Sequence, residues 1–257
     1  MKLKNILNYK YFLISNIKKD INEKYKGSIL GILWTFINPL SLTLLYSFIF
    51  PYILKSKESN YVTFVLIGIL SWNYFSRGIL NSTKTIIVSR NLLKKVYFPK
   101  IILPLTTCIT ELINFLISAS IIFLFIIFNN IGFSIHILIF PIIIIIQFIL
   151  ILGISLITSS INVFFRDIEN ITDFILKLIY YITPVFYATD LIKGTKFEIL
   201  FNINPMTIIV NSYRDILINH ANPNFINLLL VLIFSLLILF LGIFIFKKLE
   251  PKFVEEL

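Results

Sequence analysis

The stretch FSIHILIFPIIIIIQFILILGISLITSSI, residues 133–161, decides the class of this protein. It contains no Asp, Glu, Lys or Arg, and a helix of about 20 apolar residues is long enough to cross the hydrocarbon core of a bilayer. Over all 257 residues, 58% are hydrophobic, 14% are charged and the mean hydropathy is +0.91. Soluble domains carry about 25% charged residues. The composition therefore excludes an ordinary soluble domain and indicates an integral membrane protein.

The hydropathy pattern predicts an all-α membrane protein with six transmembrane helices. The apolar blocks are Ile29–Leu54, Tyr61–Leu80, Ile101–Phe128, Phe133–Ile161, Ile171–Leu191 and Phe225–Phe246. We expect residues 29–257 to form a single six-span domain. Residues 1–28 alternate lysines with single apolar residues at helical spacing, which predicts an amphipathic helix in the membrane interface on the cytoplasmic side. In water the apolar stripe of such a helix would have no partner.

The fifth block departs from a simple spanning helix. Asp173, Lys177 and the pair Thr183-Pro184 interrupt it, and the region that follows mixes apolar and polar residues. That region is too apolar for a free loop and too interrupted to cross the bilayer again. Irregular backbone at membrane depth is tolerated only against protein or a wet cavity. We therefore expect re-entrant half-helices over about Tyr187–Ile218, near the outer face.

The distribution of Lys and Arg predicts the orientation. One side collects seven of these residues from the N-terminal segment, five from Asn81–Lys100, Arg166 and three from the C-terminal tail, 16 in all. The other side has five, which are Lys55, Lys57, Lys193, Lys196 and Arg214. Since positive residues remain on the cytoplasmic side, both termini are expected there. Topology and anionic lipid then account for the net charge of +10, and a nucleic-acid partner is not required.

The chain carries no motif for covalent chemistry or for nucleotide binding. It has no G-x-x-x-x-G-K-[ST] loop and no G-x-S-x-G elbow. His136 and His220 stand without Cys or carboxylate at metal-ligand spacing, and the lone Cys108 allows no internal disulfide. We therefore predict a chain that is not an enzyme and holds neither metal nor cofactor. Energy for any transport would come from another chain.

Four groups of residues follow one another at the ends of the apolar blocks. They are Tyr25–Trp34 with Asn38-Pro39, Asn91–Pro104, Asn162–Ile168 with Thr183–Tyr187, and Asn204–Met206 with Tyr213–Asp215. In this order and spacing the chain resembles, over nearly its whole length, the permease subunit of polysaccharide-exporting ABC transporters. These type-two exporters move lipid-linked O-antigen, capsule or teichoic-acid chains across the bacterial cytoplasmic membrane.

The resemblance implies a homodimer with a separate nucleotide-binding subunit, which would hold ATP and Mg. It also implies a coupling helix over Arg90–Phe98 that docks on this subunit. The residue pattern also predicts a short amphipathic helix here, with an apolar stripe and a charged face, which ends at Pro99. The residues concerned are Arg90, Leu92, Leu93, Lys94, Lys95, Val96, Tyr97 and Phe98. The alternative interpretation is that the lysines only anchor a loop on the cytoplasmic side.

In the family the channel lies between two permease copies and is lined by the first and fifth spans. The corresponding aromatic residues here are Trp34, Phe36, Tyr46, Phe50, Tyr180, Tyr181, Phe186 and Tyr187. An aromatic ring presents a flat apolar face to the C–H face of a sugar, and a Tyr hydroxyl adds a hydrogen bond. Aromatic side chains also form belts at membrane interfaces, so each single residue has that alternative role.

Glu111 lies inside the third block, about 15 Å along the helix from Ile101. A carboxylate at that depth needs a partner, a proton or water, so it either packs by a hydrogen bond or acts in the conduit or its gate. The function predicted by the resemblance is export of a lipid-linked glycan. The alternatives are a type-two permease for a drug or another lipid, and a membrane-embedded lipid-glycan transferase built on Glu198 with Asp215 or on Asp167 with Glu169.

Overall fold

The computed structural model describes residues 9–54, 60–191, 194–196 and 198–257. Within these ranges the regular secondary structure is helical. The α-helices are α1 Lys10–Tyr25, α2 Trp34–Leu54, α3 Tyr61–Val88, α4 Arg90–Lys95, α5 Ile102–Phe128, α6 Phe140–Asn162, α7 Ile168–Ile182, α8 Glu198–Ile203, α9 Pro205–Leu217, α10 Phe225–Leu249 and α11 Phe253–Glu256. Short 3-10 turns occupy Gly31–Leu33, Ile135–Ile139, Thr189–Leu191 and Glu250–Lys252. Residues 1–8 of the predicted interfacial helix lie outside the described residues.

Five of the described helices are long and apolar enough to cross a membrane. They are the segments Gly31–Ile53, Tyr61–Val88, Ile102–Phe128, Ile135–Asn162 and Phe225–Glu256. These segments correspond to predicted blocks one to four and six, so the all-helical membrane class is confirmed. The fifth block contributes only α7, whose 15 residues reach about 22 Å, less than the roughly 30 Å of a hydrocarbon core. Its helix ends at Ile182 because the backbone of Thr183, before Pro184, is extended.

The central element is α3, which packs against α2, α5, α6, α7 and α9. Val65, Leu66 and Ile67 are fully buried on it. A polar relay also ties α3 to its neighbours: the side chain of Gln147 on α6 donates to the carbonyl of Ser71 at 2.9 Å and accepts from the hydroxyl of Tyr213 on α9 at 3.0 Å. Within a membrane such interhelical hydrogen bonds add to packing as a source of helix association.

The backbones of α6 and α10 approach each other closely at two glycines. A Cβ atom placed on Gly153 would lie 2.7 Å from the backbone nitrogen of Leu239, and one placed on Gly242 would lie 2.5 Å from the carbonyl oxygen of Gly153. Both distances are shorter than van der Waals contact, and the obstacles are backbone atoms that cannot rotate away. The two glycines therefore allow the backbones to touch, as small residues do between membrane helices.

The large hydrophobic core around α3, to which Val65, Leu66 and Ile67 belong, is called the α3 core. A second hydrophobic core, which we call the tail cluster, is separate from it. It consists of Ile86, Leu93, Phe98, Ile102, Leu103, Leu156, Val163, Phe246 and Phe253. Phe12 of α1 packs on Phe98 with ring centroids 4.7 Å apart, and Phe253 packs on Phe246 at 5.3 Å. The N-terminal helix, the connection after α3, the turn after α6 and the C-terminal tail thus meet at one end of the bundle, and part of the apolar stripe of α1 covers protein.

The other connections meet at the opposite end. The Asn129 side chain donates to the Thr63 hydroxyl at 3.0 Å, and a ring nitrogen of His220 lies 2.9 Å from the carbonyl oxygen of Ile131. The hydroxyl of Tyr61 donates to the carbonyl of Phe186 at 2.5 Å. The described connections therefore sort into the same two groups that the Lys and Arg count predicted.

Candidate functional site: an aromatic conduit and a coupling segment

Six of the eight predicted channel residues form one group, which we call the aromatic cluster. It consists of Tyr46, Phe50, Tyr180, Tyr181, Phe186 and Tyr187. Phe186 is at its centre, because its ring lies 4.4 Å from that of Phe50, 5.5 Å from that of Tyr46 and 6.2 Å from that of Tyr180, centroid to centroid. The hydroxyl of Tyr180 donates to that of Tyr46 at 3.4 Å. The cluster therefore joins α2 to α7 and to the irregular segment after it.

Two predicted channel residues lie outside the aromatic cluster, and one residue that was not predicted extends it. Phe36 is half-buried against the α3 core, and Trp34 lines a different cavity. Trp72 of α3 packs on Tyr180 with centroids 5.4 Å apart. The resemblance assigned the channel to the first and fifth spans, so Trp72 in the second block was not predicted. The only indication in the sequence was the presence of a Trp within a spanning helix.

A cavity of about 300 Å³ opens beside the aromatic cluster. Its wall is formed by Leu42, Tyr46, Ile69, Trp72, Asn73, Ser76, Leu80, Asp173, Leu176, Lys177, Tyr180 and Tyr181. The Lys177 ammonium pairs with the Asp173 carboxylate at 2.5 Å. Aromatic faces and hydrogen-bonding groups thus surround the same space, a combination that suits a ligand with apolar C–H faces and hydroxyl edges.

The surface beside this cavity is strongly apolar. On α2, Phe48 is 77% exposed and Tyr52 is 79% exposed, and on α7, Phe174 is 61% exposed. Exposed apolar area of this size is accounted for by lipid or by another chain. Either environment is consistent with the predicted position of α2 and α7 at the boundary between two copies.

The predicted coupling helix is shorter than expected. It ends at Lys95, and Val96 is extended with φ −130° and ψ 133°. The prediction of helix through Phe98 is therefore wrong for its last three residues. A residue that precedes proline is biased towards extended backbone, and Phe98 precedes Pro99. Phe98 is also buried in the tail cluster, as is Leu93, so the apolar stripe of this segment faces the chain itself.

The rest of the segment from Arg90 to Phe98 faces outward. Tyr97 is 97% exposed and Val96 is 48% exposed, and the side chains of Lys94 and Lys95 are also exposed. The segment thus combines an internal anchor with an exposed aromatic ring and two exposed cations. An exposed ring on a fixed backbone is the kind of group that anchors a protein interface.

Contacts with the C-terminal tail hold this segment in place. The Lys100 backbone amide donates to the Glu250 carboxylate at 3.0 Å, and the Lys100 ammonium donates to the Glu250 carbonyl at 2.8 Å. The ammonium also lies 5.6 Å from the ring centroid of Phe253. Burial lowers the pKa of Lys100, and the Glu250 carboxylate opposes this shift. The tail, including α11, which contacts α4, therefore fixes where the coupling segment leaves the bundle.

Glu111 on α5 is buried but not isolated. Its carboxylate accepts from the side-chain amide of Asn81 at 2.9 Å and from that of Asn114 at 3.3 Å. It also borders a cavity of about 720 Å³ between α1, α2, α3 and α5. The cavity wall is formed by Asp20, Glu23, Lys24, Trp34, Thr35, Asn38, Arg77, Asn81, Lys84, Thr85, Val88, Thr107, Thr110 and Glu111. The partner required of a carboxylate at this depth is thus provided by two amides.

Arg214 belongs to the charges counted on the outer side and to the group Tyr213–Asp215, and the sequence did not predict that its side chain is buried. It is 3% exposed, and its guanidinium lies 3.4 Å from the ring centroid of Phe64. One terminal nitrogen, Nη2, donates to the carbonyls of Val185 at 2.8 Å and of Phe64 at 3.2 Å. Arg214 therefore ties α9 to α3 and to the segment that carries Phe186.

Residues 11–218, from α1 to the end of α9, match the family described as ABC-2 type transporter. The chain belongs to this family. The ABC-2 chain is also 34% identical over 260 residues to an "O-antigen export system permease protein RfbA" of Klebsiella pneumoniae, covering 100% of this chain and 99% of that protein. A second Klebsiella pneumoniae protein of that name is 33% identical over 260 residues, with the same coverage. The protein so named in Myxococcus xanthus is 30% identical over 256 residues, covering 99% of this chain and 98% of that protein.

Membership of the ABC-2 family confirms the resemblance drawn from the four residue groups, which all lie within the matched range. Among the described residues of the ABC-2 chain, no group of three or more His, Cys, Asp and Glu side chains is placed to hold a metal ion. The chemistry present is that of a path for a ligand, with aromatic faces, amides and one ion pair.

Proposed function

We propose that this chain is the permease subunit of an ABC transporter that exports a lipid-linked polysaccharide of the O-antigen type across the bacterial cytoplasmic membrane. The observation that carries the proposal is 34% identity along the whole chain to a permease named for O-antigen export. The aromatic cluster adds independent support, because sequence-tolerant ring contacts suit a polymer whose successive sugar units pass one point. The chain would act as a homodimer with a separate ATPase subunit, which would bind ATP and Mg.

The conduit would lie between two copies of the chain. The exposed rings of Phe48, Tyr52 and Phe174 stand on the faces of α2 and α7 beside the aromatic cluster. A second copy placed against these faces would close a path lined by both clusters. Rings hold a sugar by its C–H face without requiring a fixed pattern of hydroxyls, so the polymer could slide past them in steps.

The shortened fifth block supports a six-span topology. The N-terminal end of α7 follows Val163, which lies in the tail cluster. Its C-terminal end leads to Val185, whose carbonyl binds Arg214 at the opposite end of the bundle. We propose that α7 covers most of the bilayer depth and that α8 and α9 are re-entrant half-helices that complete the outer part.

Orientation and coupling follow from the same arrangement. The sequence segments on one side carry 16 Lys and Arg residues, and their described parts meet at the tail cluster. By the positive-inside rule, that end of the bundle would be cytoplasmic, and so would both termini. Tyr97, Lys94 and Lys95 would then face the ATPase subunit. Movement of that subunit would press on the coupling segment, and the anchors Leu93 and Phe98 would pass the displacement to α1, α5 and α10.

The proposal is tested in cells that lack this chain and receive it back as wild type or as Phe186→Ala. We expect the wild type to restore surface polysaccharide and to co-purify with a P-loop ATPase. Phe186→Ala should assemble with the ATPase but export much less, since it removes the ring at the centre of the aromatic cluster. Tyr11→Ala, at a ring 86% exposed on α1, is the matched control and should export normally.

Two results would overturn the proposal. The first is surface polysaccharide that is unchanged by loss of the chain, which would favour a permease for a drug or another lipid. The second is a chain that purifies without any ATPase, since no energy source would then remain.

A further inference from the structure

A cavity of about 720 Å³ lies at the end of the bundle opposite the tail cluster, between α8, α9 and the first turn of α10. Five asparagines contribute to its wall: Asn202, Asn211, Asn219, Asn224 and Asn227. The volume falls within the range of roughly 300–1,000 Å³ typical of ligand pockets. None of the function described so far uses this space, since the aromatic cluster borders a different cavity.

The side chains of the wall favour a ligand rich in neutral hydroxyl groups. Each asparagine amide offers two donors and an acceptor, and only part of this capacity is used within the chain. Asn219 donates to the Asp215 carboxylate at 3.1 Å, which leaves its carbonyl oxygen, and Asn224 accepts from the Asn227 backbone amide at 3.1 Å, which leaves its amide hydrogens. Amides and carboxylates side by side can donate to and accept from the vicinal hydroxyls of a sugar.

The charges of the wall argue against an anionic ligand. Among the described residues of the wall, three carboxylates, Asp190, Glu198 and Asp215, are present with one cation, Arg214. The guanidinium is bound to the backbone carbonyls of Phe64 and Val185. A phosphate or diphosphate would therefore meet net negative charge, whereas uncharged hydroxyls would meet acceptors at low cost in desolvation.

An orphaned hydroxyl gives a second and independent indication of a ligand. Thr207 lies on the cavity wall and is 4% exposed. Among the described residues its hydroxyl has no hydrogen-bond partner. A buried polar atom left unpaired costs about 1–3 kcal/mol, so its presence calls for an explanation. The hydroxyl is covered by neighbouring atoms, and a ligand hydroxyl that displaces them would supply the missing partner.

The cavity also continues the path of the aromatic cluster. Phe201 on its wall packs against Tyr187 with ring centroids 6.0 Å apart, and Ala188, the next residue in the chain, lies on the same wall. A chain of rings thus runs from Tyr46 through Phe186 and Tyr187 to Phe201. A saccharide that passes the cluster away from the tail cluster would meet this cavity next.

We propose that the cavity is an exit-side saccharide site, which binds uncharged sugar units of the glycan by their hydroxyls as they leave the conduit. The inference rests on the proposed function for the identity of the glycan. Binding here would hold the emerging polymer and oppose its return between successive steps of export.

The test measures binding of lipid-free polysaccharide, released by mild acid from the surface of the same cells, to the permease–ATPase complex in nanodiscs. The variants are Asn202→Ala with Asn227→Ala, both at exposed positions, and Thr207→Val. Asn222→Ala is the matched control, because Asn222 is an exposed asparagine in the same region that is not part of the wall. Inorganic phosphate serves as the anionic probe.

We expect the double variant to weaken binding by at least about tenfold, since each lost hydrogen bond is a factor of about five. Thr207→Val should also weaken binding while the melting temperature stays equal or rises, which a merely structural hydroxyl would not show. Asn222→Ala should bind as the wild type does. Tighter binding of phosphate than of polysaccharide, or equal affinities in the wild type and the double variant, would overturn the inference.

Failure of this inference is distinct from failure of the proposed function. If cells that lack the chain still display the polysaccharide, the proposed function fails, whatever the binding result. If export depends on the chain but the cavity variants bind the polysaccharide as tightly as the wild type does, only the proposal of an exit-side site is wrong.

Discussion

Arg214→Met gives the sharpest test of how the outer end of the bundle is held together. The substitution keeps an apolar stem of similar length and removes the guanidinium, with its bonds to Val185 and Phe64 and its contact with the Phe64 ring. A hydrogen bond from a charged donor is worth about 1.5–3 kcal/mol, and a buried carbonyl left unpaired costs about 1–3 kcal/mol. We therefore expect a loss of about 3 kcal/mol, which corresponds to a melting temperature about 6–12 °C lower for a chain of this size.

A substitution at Gly68 should disrupt the same contacts of Arg214. A Cβ atom on Gly68 would lie 2.9 Å from the Arg214 Nη2 and closer still to the carbonyl oxygen of Val185. Gly68→Ala should therefore displace the arginine and destabilise the chain by about 1–3 kcal/mol. Because both substitutions break one arrangement, the double variant should cost less than the sum of the two by about 1 kcal/mol or more.

The assay is thermal unfolding of the purified chain in one detergent. The measured quantity is the fraction of the protein that remains monodisperse at each temperature. Arg166→Met, at an exposed arginine at the other end of the bundle, is the control and should change stability by no more than about 0.5 kcal/mol. Strict additivity of Arg214→Met and Gly68→Ala would refute the reasoning. So would a melting temperature of Arg214→Met equal to that of Arg166→Met.

Three further predictions concern coupling, the buried carboxylate and helix packing. Lys94→Glu with Lys95→Glu reverses two exposed charges and should uncouple export from ATP hydrolysis without unfolding the permease; unaltered export with normal ATPase stimulation would remove the coupling role. Glu111→Gln should lower the amount of assembled complex, because a glutamine amide faces the Asn114 amide, while export per assembled complex stays the same; full assembly with lost export would instead assign Glu111 to the conduit. Gly153→Val should lower thermal stability by at least about 3 kcal/mol, since its side chain meets the backbone of α10. Gly78→Ala meets only the movable side chain of Ile151 and should cost less; equal losses would contradict the role of the backbone contact.

Much of the fold could be predicted because lipid imposes simple rules. A spanning helix needs a long run of apolar residues, and such runs gave α3, α5, α6 and α10 their positions to within a few residues at most ends. There are two exceptions. A 3-10 turn over Ile135–Ile139 precedes α6, which begins only at Phe140, and the C-terminal end of α3 continues to Val88 although hydropathy falls at Asn81. Its last turns pair their polar groups with α6, as when the side chain of Asn162 donates to the Thr83 carbonyl at 3.0 Å.

The parts of the candidate site that depend on residue type at a given position in the sequence could be predicted. The parts that depend on backbone groups far away in the sequence could not. The resemblance assigned Tyr46 and Phe186 to one channel, and their rings do pack together, with centroids 5.5 Å apart. The environment of Arg214 is set by the carbonyls of Phe64 and Val185, which are far away in sequence and carry no side-chain signature. The final residues of the coupling segment were misread for a related reason, since the burial of Phe98 in the tail cluster depends on α1 and the tail.

The contact between Gly153 and Gly242 has a mechanical consequence. Because the backbones of α6 and α10 are in contact, no side chains lie between them that could slide past each other. We expect the two helices to move as one rigid unit. By contrast, α2 is the least buried of the spanning helices and is preceded by Gly27 and Gly31, both with positive φ and with open space where a side chain would be. We therefore expect the proposed conduit to open by a movement of α2 about these two glycines, with an amplitude set by the chain before Trp34 rather than by α6 and α10.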